Sequence, residues 1–455
     1  MVDPSGITYR TAITEADAIG LAIGLGLGIT FGGVLPWQLS SGGTLATLDI
    51  DFVNDRAWNA GASATVGSLL ACARATPAAA YYTNADGTLT TFAANTLRYG
   101  RAGLLAEEAS TNIAVQSQDL TTGWVINSNL TITADATTAP DGTLTADQVS
   151  AVAATSDHNI RNGLLSITAN PYTTSIFLKM GTWRYVNVVC VDFGSGDRWF
   201  ACTVDMLAGT ITQTGAGAGA TYTSSRIFAV AHGFYRVELS GTQANTSSTG
   251  SIELQMVASG TPVYSASAWA RVVSTAAGTD NFYAWGAQLE VGAFASSYIP
   301  TTGGSVTRAA DVITFSDVTW FNGTSDTLFV KWTATGRAGT LLAINATDAV
   351  TLSETATGAG KILDASVTYA ITTGNTDTPG STAKVAAHMA TNDIALCLNA
   401  GTVGTDATAT QPGTISAARL GVDLSGANPL NGYILEVAAF KNLTASSGAL
   451  QTLST

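Results

Sequence analysis

Six runs between residues 174 and 257 constrain what this chain can fold into. They are 174–180 (TSIFLKM), 185–191 (YVNVVCV), 199–206 (WFACTVDM), 226–232 (RIFAVAH), 234–240 (FYRVELS) and 251–257 (SIELQMV). All are short and rich in β-branched or aromatic residues, with Gly, Asn, Ser and Asp between them. That spacing reads as antiparallel strands joined by tight turns, in a β-sandwich or jelly roll. No amphipathic helix of convincing length interrupts them. Charged residues make up only 11% of the chain and hydrophobic ones 46%, with 47 Gly and 10 Pro. Solubility therefore rests on Thr, Ser, Asn and Gly, and the hydrophobic content is too high for disorder.

A chain of 455 residues exceeds one core and suggests about three domains. The expected fold class is mainly β: tandem antiparallel β-sandwich (jelly-roll) domains behind a short, Gly-rich N-terminal anchor with helical potential. The expected boundaries are an anchor over 1–44, a small β-rich connecting module over 45–110, a jelly roll over 111–311 and a second sandwich over 312–455. In the first segment, Thr14 to Asp17 looks like a capping box ahead of IGLAIGLGLGITFGGVL, residues 19–35. As a helix this run would rise about 25 Å, short of a hydrocarbon core of about 30 Å. Its six glycines would each cost about 1 kcal/mol relative to Ala. Glu15 and Asp17 flank it where a signal peptide would carry basic residues. Membrane insertion is thus disfavoured. Ile19, Leu21, Ile23, Leu25, Leu27, Ile29 and Phe31 are expected to form an assembly anchor, with a plain core segment or a membrane contact as the competing readings.

Asp86-Gly87 between β-prone runs predicts a hairpin, and Asn392-Asp393 predicts another. Stretch 285–311, WGAQLEVGAFASSYIPTTGGSVTRAAD, reads as a last strand followed by an irregular strap, with Pro300 stopping strand pairing. Trp124, Trp285 and Trp320 look like core or seam residues.

The net charge of −13 and the lack of basic patches exclude a nucleic-acid partner. Cys72, Cys190, Cys202 and Cys397 lack metal-ligand spacing. Cys190 and Cys202 could face each other across a hairpin, but buried free thiols are the favoured reading. Three histidines, His158, His232 and His388, form no HExxH pattern, and neither GxSxG nor a Walker A motif occurs. GAGAGA near Gly215 reads as a flexible turn. Glu107 and Glu108 are adjacent carboxylates, yet strand neighbours point to opposite faces; a salt bridge to Arg98 or Arg101 is the expected role. No catalytic residues, metal or cofactor are expected. For binding, the loop VVCVDFGSGDRWF and its flanks supply Trp183, Tyr185, Asp192, Phe193, Asp197 and Trp199. Exposed rings could stack on sugars while the Asp side chains accept hydroxyl protons. The competing reading places the rings in the core, and Asp192 and Asp197 as turn caps.

Over 48–311 the chain resembles phage head-spike and tail-fibre proteins. The likeness lies in 104–149 (LLAEEASTNIAVQSQDL onward), 177–192 (FLKMGTWRYVNVVCVD), 204–212 (VDMLAGTIT) and the strap 285–311. The end of the chain, 418–454, resembles the close of concanavalin-like (laminin-G-type) sandwiches, with Asn431, Gly432, Tyr433 and Ile434 ahead of a short terminal helix. These resemblances imply a virion fibre or spike subunit, assembled in the host cytoplasm and displayed on the particle surface. Its partners would be other virion proteins of head or tail, further copies of itself in a homotrimer, and host-surface polysaccharide. A polysaccharide depolymerase tailspike and a decoration protein without ligand are the alternatives.

Overall fold

The computed structural model describes residues 40–41, 44–75, 80–244, 247–335, 337–344, 350–354, 360–364, 367–371, 380–407, 415–443 and 446–455. The apolar run with Ile19 to Phe31 lies outside them. Among the described residues regular structure is almost entirely antiparallel strand, as expected. None of the helices there is long and apolar enough to cross a membrane.

One sandwich is built wholly from residues 124–291. Its first sheet runs in the order Trp124–Ser128, Asn159–Asn162, Ser247–Val257, Tyr185–Asp192, Trp199–Asp205, Thr210–Ala216. The second runs Leu130–Thr138, Leu144–Ala151, Asn281–Val291, Pro171–Met180, Tyr235–Gln243, Ala220–Ala229. Alternation decides what each sheet sends inward. Val186, Val188 and Cys190 from one meet Ile176, Leu178 and Leu289 from the other in a common core. Cys190 stands opposite Phe200 and Cys202 opposite Val188, so both thiols face that core and remain unbridged. GAGAGA is only partly a turn: Gly215 and Ala216 belong to a strand, and a Cβ on Gly215 would come within 2.9 Å of the Tyr264 ring.

The other sandwich corrects the expected boundaries. Segment 45–110 was expected as a separate connecting module, yet its strands complete the sheets of the C-terminal part. Leu48–Asp51 pairs with Gly432–Lys441, and so does Gly103–Ala106 further along the same strand. Leu70–Ala73 pairs with Val312–Phe315 in the facing sheet. Leu48, Ile50, Phe52 and Leu104 share one apolar core with Ile313, Trp320, Trp332, Leu342 and Val437. The sandwich of 124–291 is therefore inserted into a loop of a framework sandwich made from both sides of it. A short ladder, Ser110–Asn112 against Val306–Arg308, closes the neck.

Two devices fix the insert to the framework. The hairpin Ala80–Thr83/Leu89–Phe92 forms where Asp86-Gly87 predicted it. Tyr81 and Leu89 from this hairpin pack with Phe177, Trp285 and Tyr298 on the outer face of the insert's second sheet. Gly87 has φ +81, and a Cβ there would sit 2.7 Å from Val230 Cα. Only glycine meets both conditions. Beneath this apolar contact lies a buried ion cluster. Arg74 donates to Asp311 at 2.7 Å, and Arg98 to Glu107 at 2.8 Å and also to Asp311. Arg308 lies 3.3 Å from the same Glu107 oxygen.

Candidate functional site

The loop residues singled out from sequence do not converge. Tyr185 stands opposite Asp205 at one end of a hairpin, and Val191 opposite Trp199 at the other. Seven steps of strand put Tyr185 and Asp192 roughly 23 Å apart. Trp183 is half-buried, packs on the insert core, and donates its indole N–H to the Tyr185 carbonyl at 2.9 Å. Phe193 meets Trp269 edge-on at 5.6 Å and lies under the Arg161 guanidinium. Trp199 is 3% exposed and covered by Tyr264. Asp192 is buried and accepts the Gly194 amide at 2.7 Å, which is the turn-capping role. The Asp197 carbonyl accepts the Gly219 amide at 3.1 Å. The loop around Tyr264, Trp269 and Ala270 closes over Val189, Val191, Trp199 and Ala201, so the sugar-facing surface expected there is largely occupied by the chain itself. Among the described residues no group of three or more His, Cys, Asp or Glu could hold a metal.

What the fold does create is a cleft of about 410 Å³ between the two sandwiches. From the insert come Arg226, Phe228, Arg236 and Glu238; from the framework come Glu107, Thr333, Arg337, Asn431 and Tyr433. Ser296 and Ser297 reach it from the strap. Cross-strand register groups the insert's residues, since Arg226 stands opposite Glu238 and Phe228 opposite Arg236. Arg226 Nε and Nη2 both donate to Glu238 Oε2, at 3.1 and 2.8 Å. Arg236 Nη2 donates to the Ser296 carbonyl at 2.5 Å and to Ser175 Oγ at 3.1 Å. Arg236 Nε has no hydrogen-bond acceptor and sits 3.7 Å from Glu238 Oε1. The Arg337 guanidinium stacks on the Phe294 ring, 3.8 Å from its centre.

The carboxylates in this place serve the structure. Burial works against the charge on Glu107, yet Arg308, Arg98 and Ser297 hold its pKa down at about 2. Its oxygens accept the Ser297 amide and hydroxyl, both at 2.6 Å. The expected salt bridge from Glu107 to Arg98 is present, and the amide of Glu108 donates to Asn431 at 2.8 Å. Burial pushes the Tyr433 phenol up to about 12, so it stays protonated as a hydroxyl. The cleft thus offers guanidinium donors, hydroxyls, an amide and aromatic faces, the groups that bind polyhydroxylated ligands. Sequence reasoning passed over Arg226, Arg236 and Glu238 although they alternate within β-prone runs, a pattern that places them on one polar face. Nothing local brings Arg337 or Tyr433 to them.

No protein-family model matches the chain, and no curated protein does. Similar solved structures include Trypanosoma rangeli sialidase in complex with sialic acid, at 12% identity and TM-score 0.25, covering 68% of this chain and 60% of that one. Mouse laminin alpha1 chain domains LG4-5 align at 11% identity and TM-score 0.21, over 76% of this chain and 91% of theirs. The LG1-3 region of the laminin alpha2 chain aligns at 10% identity and TM-score 0.21, over 63% and 64%. Overlaps this low do not amount to a shared overall fold; the sandwich architecture rests on the strand pairing described above.

Proposed function

We propose that this chain is a structural binding protein that recognises glycan in the cleft between its two sandwiches and leaves it uncleaved. The observation that carries this reading is the composite wall of Arg226, Arg236, Arg337, Asn431 and Tyr433 beside Phe228. Glu107 is held ionised by two arginines and Ser297, which suits a seam residue and not a proton donor. In keeping with the resemblance over 48–311, the chain serves as a fibre or spike subunit of a phage or phage-like particle. It is anchored by its N-terminal segment and assembled as a homotrimer, in which several weak sites act together.

The test is a glycan array probed with the intact chain, alongside measurement of new reducing ends from each glycan bound. Binding without release is the expected result. Sustained release abolished by Glu238→Gln would replace this reading with a depolymerase. A blank array would leave a decoration protein. Immunogold labelling of particles with antibody to the chain tests the virion assignment, and unlabelled particles would refute it.

A further inference from the structure

Resting on that reading, we propose that Phe228 is the platform on which the cleft stacks a hexopyranose ring. The glycan it takes then has at least one ring face free of axial oxygens, as β-linked glucans and galactans do. Phe228 is 38% exposed and is the only exposed aromatic side chain among the described residues. Rings elsewhere in the insert are taken up inside the protein. Phe177, Trp285 and Tyr298 pack together beneath the framework hairpin, and Trp199 lies under Tyr264. Ala85 and Gly87 of that hairpin line the same cleft as Phe228, with side chains too short to cover its ring.

The strand explains how Phe228 comes to stand there. Alternation along Ala220–Ala229 turns Ile227 onto the insert core and Arg226 and Phe228 away from it. Register sets Arg236 opposite Phe228 and Glu238 opposite Arg226. Phe228 and Glu238 are thus diagonal neighbours on one face, about 7–8 Å apart. Glu238 and Arg236 are each 5% exposed, so the polar groups beside the platform are held by their surroundings. Both bonds from Arg226 go to Glu238 Oε2, while Oε1 stands 3.7 Å from Arg236 Nε, beyond hydrogen-bond reach. A sugar lying flat on Phe228 buries its C–H face against the ring and sends equatorial hydroxyls sideways, where Glu238 Oε1 can accept one. An axial oxygen on the stacked face would hold the two rings apart. In α-linked mannose both faces carry one, from the linkage and from the second carbon, so neither can close on Phe228.

The experiment is calorimetric titration of the intact chain with cellohexaose, β-linked galactohexaose and α-linked mannohexaose. At least one of the β-linked oligomers should bind about tenfold or more tighter than mannohexaose, equivalent to about 1.4 kcal/mol. Phe228→Ala and Phe228→Leu should each weaken that binding by about tenfold, and Phe228→Trp should keep it within about twofold. Leu retains apolar bulk without an aromatic face, which separates stacking from simple burial. In proton NMR the axial ring protons of the bound sugar should shift upfield with the wild-type chain and Phe228→Trp, and lose that shift with Phe228→Leu. Phe193→Leu, an aromatic change outside the cleft, should leave affinity unaltered. Thermal unfolding shows that each variant is folded; if Phe228→Ala is not, Phe228→Leu alone decides. Equal affinity for mannohexaose, full affinity in Phe228→Leu, or no β-linked binding while the array shows other glycans bound overturns the stacking assignment and leaves glycan recognition standing. A blank array overturns both.

Discussion

Arg98 and Asp311 are 213 positions apart in sequence and form a fully buried ion pair. Between them the chain leaves the framework, builds an entire second sandwich and returns. Glu107 and Arg308 stand at the same crossing, so exit and re-entry are clamped by one charge cluster. Removing one partner from such a cluster strands a buried charge, at a cost of about 3–5 kcal/mol. Glu107→Gln should therefore destabilise the chain by that order in urea unfolding. The pH dependence follows in sign. With a folded pKa of about 2 against an ordinary 4.5, Glu107 contributes stability that is fully present above pH 4.5 and lost as pH falls toward 2. The variant should lack that part of the acid limb.

Glu436 should act in the opposite direction. Burial, then Asp49 and Asp51, raise its pKa to about 7, with Lys331 opposing. Folding then favours the protonated form, and its contribution to stability declines as pH rises from about 4.5 to about 7. Melting temperatures measured from pH 5 to 8 should fall more steeply in the wild-type chain than in Glu436→Gln. Parallel curves would refute this.

The insertion predicts an asymmetry between fragments. Residues 111–311 hold both sheets and the whole core of the insert, so this fragment should fold alone with a cooperative transition. Residues 312–455 lack Leu48–Asp51, Leu70–Ala73 and Gly103–Ala106, and with them Ile50, Phe52 and Leu104 of the framework core. That fragment should show no cooperative melt until 45–110 is supplied. Circular dichroism of the pieces decides it.

Cysteine reactivity should be close to nil in the native chain. All four thiols are buried and unbridged. Burial pushes Cys190 and Cys202 up to about 12 and Cys72 to about 11, leaving almost no thiolate at neutral pH. An aromatic disulfide reagent should label none of the 4 cysteines before denaturant is added and all of them after.

Much of this was legible residue by residue. Five of the six β-prone runs lie on strands to within a residue, and the sixth, 226–232, does so as far as Ala229 before a 3-10 turn at Ala231–Gly233; Asp86-Gly87 and Asn392-Asp393 turn hairpins. Trp124, Trp285 and Trp320 are buried. The strand containing Tyr433 leads to the terminal helix Ser447–Leu453. These signals are local: alternation and turn chemistry. The partner of a strand is not local. LDID at 48–51 alternates the same way whether it pairs with 56–59 or also with 432–441, so an insertion looks like domains in tandem. The loop aromatics failed as a site for a related reason. Trp199 and Phe193 meet Tyr264 and Trp269, which arrive from 65 and 76 residues further along, and nothing near position 199 signals that a later loop will cover it.

The most direct measurement is a paired titration of the intact chain and of isolated 111–311 with whichever glycan the intact chain binds. Because Arg337, Asn431 and Tyr433 come from the framework, the folded insert should bind at least about tenfold more weakly, a loss of about 1.4 kcal/mol or more. Undiminished affinity in the insert would contradict the composite cleft and move the site onto the insert alone.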